Sequence, residues 1–181
     1  MVEVAGEVAD GFIAHPFNSR KSLEERTLTA LNRGLQKSGR TRDQIAVICA
    51  TIVATADREE ELTRVKGAVK KQLAFYGSTP AYRHTLECHG WGNLHPELNA
   101  LSKRGRWDDM AGLIDDEILN EIAVVGPRDS IAKALTERLR GIADGVSLTN
   151  NRAPDPEHWS DVVADLKARS AKAVEHLKAS H

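Results

Sequence analysis

The sequence predicts an α/β fold built on a parallel β-sheet, and three observations support this prediction. Helix and strand patterns alternate along the chain. Residues 45–55, IAVICATIVAT, are apolar and β-branched almost throughout, which is typical of a strand buried on both faces. The tripeptide Ala-Asp-Gly joins a helix to a strand at two places, residues 9–11 and 143–145. Short strands separated by helices indicate parallel strands that are joined by right-handed crossovers.

The chain opens with a predicted amphipathic helix that no Ser, Thr, Asp or Asn caps. Gly11 is expected to close this helix in the left-handed conformation, before a short strand over 12–15 that Pro16 ends. Ser22 to Glu25 matches a capping box, which predicts a helix starting there and ending at Gly39. The predicted buried stripe of the opening helix consists of Val2, Val4, Ala5, Val8 and Ala9.

The rest of the chain alternates in the same way. Residues 45–55 form the central predicted strand, and an acidic first turn after Asp57 begins a helix that runs to about residue 76. Residues 77–123 are rich in Gly, Pro and aromatic side chains and are predicted to form an insertion of short helices. Val124 to Pro127 is predicted to be a turn into another helix. A strand over 146–149 and a charged helix over 156–178 complete a single predicted domain, 1–181, with about three strands.

Composition excludes several classes of function. The 181 residues carry 25 basic and 26 acidic side chains, so no net charge attracts nucleic acid or an anionic membrane. Two cysteines do not make a disulfide framework, which favours a cytoplasmic location. The longest apolar run, 45–56, is far shorter than the roughly 20 residues that a membrane-spanning helix needs.

Four segments carry a resemblance to a known family. They are residues 1–17, FYGSTPAYRHTLECHGWG at 75–92, LNALSKRGRWDDM at 98–110 and VVGPRDSIAKALTERL at 124–139. Together they resemble the C-terminal half of luciferase-like monooxygenases, in the branch that uses the deazaflavin coenzyme F-420. The resemblance implies the C-terminal portion of a (β/α)8 TIM barrel, with strands six to eight present and an N-terminally truncated chain. It also implies hydride transfer between coenzyme F-420, or alternatively FMN, and a small organic substrate.

Candidate site residues follow from the position of the strands. Chemistry in such barrels lies at the C-terminal ends of the strands, where His15 ends the first predicted strand. Its imidazole is suited to donate a hydrogen bond to a coenzyme or substrate carbonyl, and the alternative is a histidine that satisfies a loop carbonyl. Asn18 lies in the same loop and is a further candidate to bind the coenzyme or substrate. Arg152, beyond the last strand, suits a phosphate or carboxylate, with a solvated turn as the alternative.

Aromatic side chains are concentrated in the predicted insertion and just before it, namely Tyr76, Tyr82, His89, Trp91 and Trp107. Tyr82, His89 and Trp91 are therefore candidates to contact the coenzyme or substrate, as parts of a lid over a planar ligand. The alternative is a small separate core or a subunit interface, which would fit a homodimer.

Two further functional alternatives stay open. The chain is either an oxidoreductase of this family or a catalytically silent remnant or interaction protein whose exposed sheet edge pairs with another chain. A third alternative is a small metal-binding α/β protein. Its candidate ligands lack the paired short spacing of a structural zinc site, so no metal is predicted. These ligands are His84, Cys88, His89 and His95.

Overall fold

A computed structural model of the chain describes residues 1–149 and 156–179, and its centre is a parallel sheet. Strand β2 is the longest strand and pairs with each of the other three, in parallel in every case. The predicted α/β class is therefore confirmed. The described residues form four strands: β1 (Gly11–Ala14), β2 (Ala46–Thr55), β3 (Val124–Gly126) and β4 (Gly145–Thr149).

Helices connect the strands and account for most of the remaining chain. A π-helical turn, Leu23–Leu28, joins α2 to α3 in one continuous helical segment. Short 3-10 turns lie at Arg42–Gln44 and Pro80–Tyr82. The described helices are α1 (Val2–Val8), α2 (Arg20–Ser22), α3 (Thr29–Lys37), α4 (Glu59–Gly77), α5 (Arg83–Glu87), α6 (Leu94–Lys103), α7 (Trp107–Gly112), α8 (Asp116–Ile122), α9 (Arg128–Leu139) and α10 (Pro156–Ala179). None of them is both long and apolar enough to cross a membrane.

Two local predictions, one near residue 20 and one near residue 125, were wrong. The predicted turn at Val124 to Pro127 contains strand β3, because Val124–Gly126 pairs with the C-terminal end of β2. The capping box begins at Ser19 and not at Ser22. The Ser19 hydroxyl accepts a hydrogen bond from the backbone N–H of Ser22, and the Ser22 hydroxyl accepts one from that of Ser19. The helix therefore starts at Arg20.

The opening helix packs differently from its prediction. Val4 and Val8, placed in the buried stripe, are 53% and 75% exposed. The helix instead approaches α3 through Gly6 and Gly34, where a Cβ added to Gly34 would lie 1.9 Å from a backbone oxygen of α1. Gly11 does not take the left-handed conformation and is the first residue of β1. The glycine pair lets the two backbones touch, which a valine stripe would prevent.

One face of the sheet is covered by helices. At its N-terminal half, β2 presents Val47 and Cys49 to Leu31 and Leu35 of α3. Further along the same face, Val53 packs in a cluster with α9 and α10. We call this the covered face. It accounts for the apolar periodicity of α3 and α9 that the sequence displays.

The opposite face is only partly covered. At the C-terminal half of β2, Ile52 and Ala54 pack against α4 and the short helices of the insertion. At the other half, Ile13 is 70% exposed and neighbouring positions on the same face are exposed or half-buried. We call this part of the sheet the open face; its members are Ile13, Ala46, Ile48 and Ser147, of which Ile13 and Ile48 are paired in register.

The insertion forms a core of its own. Short helices α5–α8 pack on α4, and lysine–aspartate pairs, among them Lys70 with Asp116 at 2.7 Å, tie them to it. The expected lid is therefore a packed helical layer. Its most buried apolar side chains, each at most 3% exposed, are Leu86, Leu98, Met110, Ile114, Ile118, Leu119 and Ile122.

Candidate functional site

His15 lies directly after β1, where the chain turns away from the sheet. Its imidazole stacks on Tyr82, with ring centroids 4.3 Å apart and planes at 17°, and meets the Tyr76 ring edge-on at 4.9 Å. The structure thus brings His15 against Tyr82, two candidate residues that the sequence analysis singled out separately. A planar polar group with one face against tyrosines is suited to position a further flat ring system.

The hydrogen bonds of His15 define its tautomer. Its Nδ1 accepts the backbone N–H of Phe17 at 3.1 Å, so the neutral ring carries its proton on Nε2. Within the described residues, Nε2 has no hydrogen-bond partner. His15 is exposed as a residue, and the partial burial of its ring against the tyrosines lowers its pKa below the usual value, which favours the neutral form. The side chain is therefore a neutral hydrogen-bond donor without an acceptor in the described part of the chain.

Asn18 fixes the loop that carries His15. Its amide nitrogen donates to the carbonyl of His15 and, at 3.2 Å, to the carbonyl of Ala50 in the middle of β2. The amide oxygen is buried and accepts no hydrogen bond from the described residues. A buried acceptor of this kind costs stability unless a water or ligand donates to it. Asn18 therefore anchors His15 and also offers one acceptor.

Arg138 of α9 is a site residue that sequence reasoning missed. Its Nη2 donates to three backbone carbonyls, of Asn18 at 2.9 Å, Glu121 at 2.7 Å and Ile122 at 2.8 Å. Burial lowers the pKa of Arg138 to about 10. This guanidinium joins the His15 loop to the end of the insertion. No sequence signal marked Arg138. A charged residue next to a buried helix position such as Leu139 is ordinary in an amphipathic helix.

His89 and Trp91 form a second group beside the first. Their rings stack with centroids 4.5 Å apart, and His89 Nε2 is hydrogen-bonded to the Ser19 hydroxyl at 2.7 Å. Glu121 lies 3.8 Å from the same nitrogen. Ser19 is fully buried and caps α2, so this Ser-His-Glu set has no accessible nucleophile. Trp91 packs against the core of the insertion, which favours the packing interpretation for this pair.

The remaining candidate residues do not join either group. Arg152 lies outside the described residues. Trp107 is 50% exposed and contacts Phe75, with ring centroids 6.3 Å apart. His84, Cys88 and His95 each make a hydrogen bond to a nearby backbone carbonyl. Within the part of the chain that the structure describes, no three His, Cys, Asp or Glu side chains are placed to hold a metal ion.

A separate cavity of about 590 Å³ lies between the start of α9 and α10. Arg128 in its wall forms an ion pair with Asp57. The other charged residues that line it are Asp129, Asp161 and Asp165. None of its lining residues belongs to the His15 group, so we place the candidate site at His15 and not in this acidic groove.

Comparisons with known proteins agree on one family. The model of the luciferase-like monooxygenase family matches residues 1–145. An uncharacterized protein of Mycobacterium tuberculosis is 55% identical over 146 residues, which cover 81% of this chain and 43% of that protein. The 5,10-methylenetetrahydromethanopterin reductase of Methanopyrus kandleri is 26% identical over 168 residues, 90% of this chain and 45% of the reductase.

A comparison with solved structures also matches this fold. The coenzyme F-420-dependent tetrahydromethanopterin reductase of Methanopyrus kandleri superposes with a TM-score of 0.69, at 24% identity, over 90% of this chain and 46% of that one. This chain therefore has the fold of part of a luciferase-like TIM barrel, as the sequence predicted. It spans about half the length of the relatives it matches.

Proposed function

Because the chain belongs to the luciferase-like monooxygenase family, we propose that it forms part of an oxidoreductase that depends on coenzyme F-420. The reaction is hydride transfer between the coenzyme and a small organic substrate. A match to a reductase described as dependent on this coenzyme supports coenzyme F-420 over FMN. A cytoplasmic location and a homodimer stay predictions.

The observation that carries this proposal is the free donor at His15. Its Nε2 lies on a ring that stacks on Tyr82 and is otherwise open to solvent, and partial burial against the tyrosines lowers the pKa of His15. In a barrel of this kind, reacting groups lie at the C-terminal ends of the strands, and His15 follows the end of β1. A donor at that position with no acceptor among the described residues suits a carbonyl oxygen of the coenzyme or of the substrate.

The coenzyme, when bound, supplies the carbon that exchanges the hydride. In this proposal His15 donates its Nε2 proton as a hydrogen bond to a carbonyl oxygen on which negative charge develops. Tyr76 and Tyr82 hold the imidazole plane and exclude water from one side of it. Asn18 and Arg138 hold the backbone on which His15 is placed, and the amide oxygen of Asn18 offers an acceptor to a ligand donor.

A titration with coenzyme F-420, followed by its fluorescence, tests the proposal. The full chain is titrated alone and again together with the N-terminal β/α units of the Mycobacterium tuberculosis relative. We expect binding in at least the second case, and weakening by about tenfold or more in His15→Phe, which keeps the stacking but removes the donor. His84→Phe is the matched control, because the only hydrogen bond of the His84 ring to the described residues is to the nearby Ala81 carbonyl.

Two results would contradict the proposal. Absence of coenzyme binding in both titrations would favour the catalytically silent alternative. Equal binding by the wild-type chain and His15→Phe would show that the imidazole does not contact the coenzyme. If His15→Phe bound the coenzyme normally but lost turnover, His15 would act on the substrate and not on the coenzyme.

A further inference from the structure

Residues 82–89 of the insertion, which include α5, lie along the loop 15–19 and contact it at three points. The contacting side chains of the insertion are spaced by three and four residues, so they share one face of this helical segment. The position of the loop therefore depends on how firmly this face holds it. The contacts are the stacking of Tyr82 on His15, a hydrogen bond from the Thr85 hydroxyl to the Phe17 carbonyl at 3.2 Å, and the hydrogen bond between His89 and Ser19 at 2.7 Å.

The surroundings of Ser19 determine the direction of its hydrogen bond with His89. Ser19 is fully buried, and its Oγ already accepts the backbone N–H of Ser22 at 3.0 Å. Its own hydroxyl hydrogen reaches one nitrogen or oxygen acceptor among the described residues, which is His89 Nε2. Cys88 also lies beside this hydroxyl, but its sulfur is a weak acceptor. Neutral His89 therefore accepts the bond from Ser19 and carries its proton on Nδ1.

Trp91 and Glu121 define what the His89 ring does when it takes up a second proton. Trp91 stacks on the ring and packs against the core of the insertion, so the plane of the ring is held. A carboxylate oxygen of Glu121 lies 3.8 Å from Nε2, which is too far for a hydrogen bond and close enough for an ion pair. A proton on Nε2 removes the acceptor that Ser19 uses and creates a cation that Glu121 attracts.

We propose that His89 is a positioning residue for His15. In its neutral form His89 attaches the loop after β1 to the insertion through Ser19, and in its protonated form it exchanges this hydrogen bond for an ion pair with Glu121. Of the three contacts between the insertion and the loop, the one at Ser19 is then lost. The inference rests on the proposed function only for the task that it gives to His15, since attachment of the loop is a property of the chain itself.

The charges around His89 place this exchange at mildly acidic pH. Burial lowers the pKa of His89 below its usual value of 6.5 and outweighs the opposing effect of Glu121. Lys21 of α2 acts in the same direction as burial, whereas Glu25 of the π-helical turn and Glu117 of α8 act with Glu121. The neutral form is therefore favoured at pH 7, and the ring takes up its proton as the pH falls below 6.5.

Nitrogen-15 NMR of the histidine side chains in the full 181-residue chain tests the direction of the bond without any substitution. At about pH 7.5 we expect the Nδ1–H tautomer for His89. His15 serves as the internal comparison, because its Nδ1 accepts the Phe17 N–H and its proton is on Nε2. The two rings are thus expected in opposite tautomers.

Amide hydrogen exchange tests the attachment of the loop, with protection factors that correct for the intrinsic effect of pH. In the wild-type chain, protection of the Ser19 and Ser22 amides should fall by about fivefold or more between about pH 7.5 and about pH 5. His89→Gln should keep protection at both pH values, because its amide oxygen accepts from Ser19 and does not titrate. His89→Phe stacks on Trp91 without accepting, so it should show low protection at both.

Two further variants separate His89 from its neighbours. His84→Gln is the matched control, because the His84 ring is hydrogen-bonded to a nearby backbone carbonyl at 3.1 Å, and it should leave the pH effect unchanged. Glu121→Gln removes the carboxylate and keeps the backbone carbonyl that Arg138 binds. It should move the midpoint of the fall in protection to lower pH, because the Glu121 charge raises the pKa of His89.

Four results would overturn the proposal. They are the Nε2–H tautomer of His89 at about pH 7.5, high protection of Ser19 in His89→Phe, a fall in protection that persists in His89→Gln, and a midpoint that Glu121→Gln does not move. The first is measured on the wild-type chain, so it decides even where a variant fails to fold. No coenzyme is present in these experiments, so their failure is distinct from failure of the proposed function.

Discussion

The insertion and the open face both carry apolar side chains, but those of the insertion are buried and those of the open face are exposed to solvent. The insertion buries Leu86 and Leu98 completely against α4, whereas the open face leaves Ile13 exposed. Both are built from similar residues, so hydrophobicity alone does not explain the difference. The insertion receives its covering helices from nearby residues of this chain. No element of the described residues covers the open face.

The sharpest test of this comparison is the cost of truncating one side chain in each region. Leu98→Ala is expected to destabilise the chain by about 2–5 kcal/mol, because it leaves a cavity in the core of the insertion. Ile13→Ala should change the free energy of unfolding by less than about 0.5 kcal/mol, since the side chain is largely in water. Urea unfolding of both variants measures the difference, and a similar cost for the two would show that the open face is covered.

The contact between α1 and α3 extends the comparison to the covered side of the molecule. Gly34→Ala is expected to destabilise the chain by about 1–3 kcal/mol, because its Cβ would lie 1.9 Å from the Glu3 carbonyl oxygen. Gly67→Ala is the control, since nothing lies within 4 Å of a Cβ at that helical position. It should stabilise the chain by about 0.4–1 kcal/mol. Thermal unfolding of both variants gives the sign, and a neutral Gly34→Ala would mean that the helices are not in contact.

Arg138 links the insertion to the loop beside the open face, so its removal tests whether the two regions are coupled. Arg138→Met should destabilise the chain by about 1–2 kcal/mol, because three carbonyls lose their donor. We also expect a lower affinity for coenzyme F-420 without a change in the control Arg140→Met, whose side chain is exposed. Recovery of affinity in Arg138→Lys would support a positioning role. Full stability of Arg138→Met would contradict it.

The smallest expected effect is a pH dependence. Burial lowers the pKa of His15 in the folded state, so the unfolded chain binds this proton first as the pH falls. Stability that is present above the ordinary value of 6.5 is therefore lost as the pH falls through the folded pKa. His84 and His89 shift in the same direction, so His15→Asn should flatten the dependence and not abolish it. Unfolding in urea at about pH 7.5 and about pH 5 measures the change, and an unaltered slope would exclude this role of His15.

Much of the fold was predictable, because most apolar patterns in the sequence mark positions that are buried in the structure. The apolar run of β2 and the acidic start of α4 placed these elements within a few residues. Strand β3 was not predictable, since Val124–Gly126 is three residues long and is defined by its partner on β2. The valines of α1 were misassigned because periodicity marks an apolar stripe without saying whether this chain covers it.

The candidate site was predictable in part. His15 follows from its place at a strand end, and its stacking on Tyr82 brings together two residues that the sequence had singled out separately. The role of Arg138 depends on three carbonyls that are distant in sequence, so no local pattern reports it. His89 and Trp91 are close in sequence and in space, yet only their packing distinguishes a core pair from a ligand contact.

Amide hydrogen exchange of the 181-residue chain alone is the most direct test of the central claim. The claim is that β1 has a free edge and that the open face is uncovered. Strand β2 is paired on both sides, so its central amides and those of α6 and α8 should exchange slowly. Amides on the free edge of β1 should exchange many times faster. Equal protection of β1 and β2 in the isolated chain would contradict the account, because it would mean that the edge and the open face are already covered.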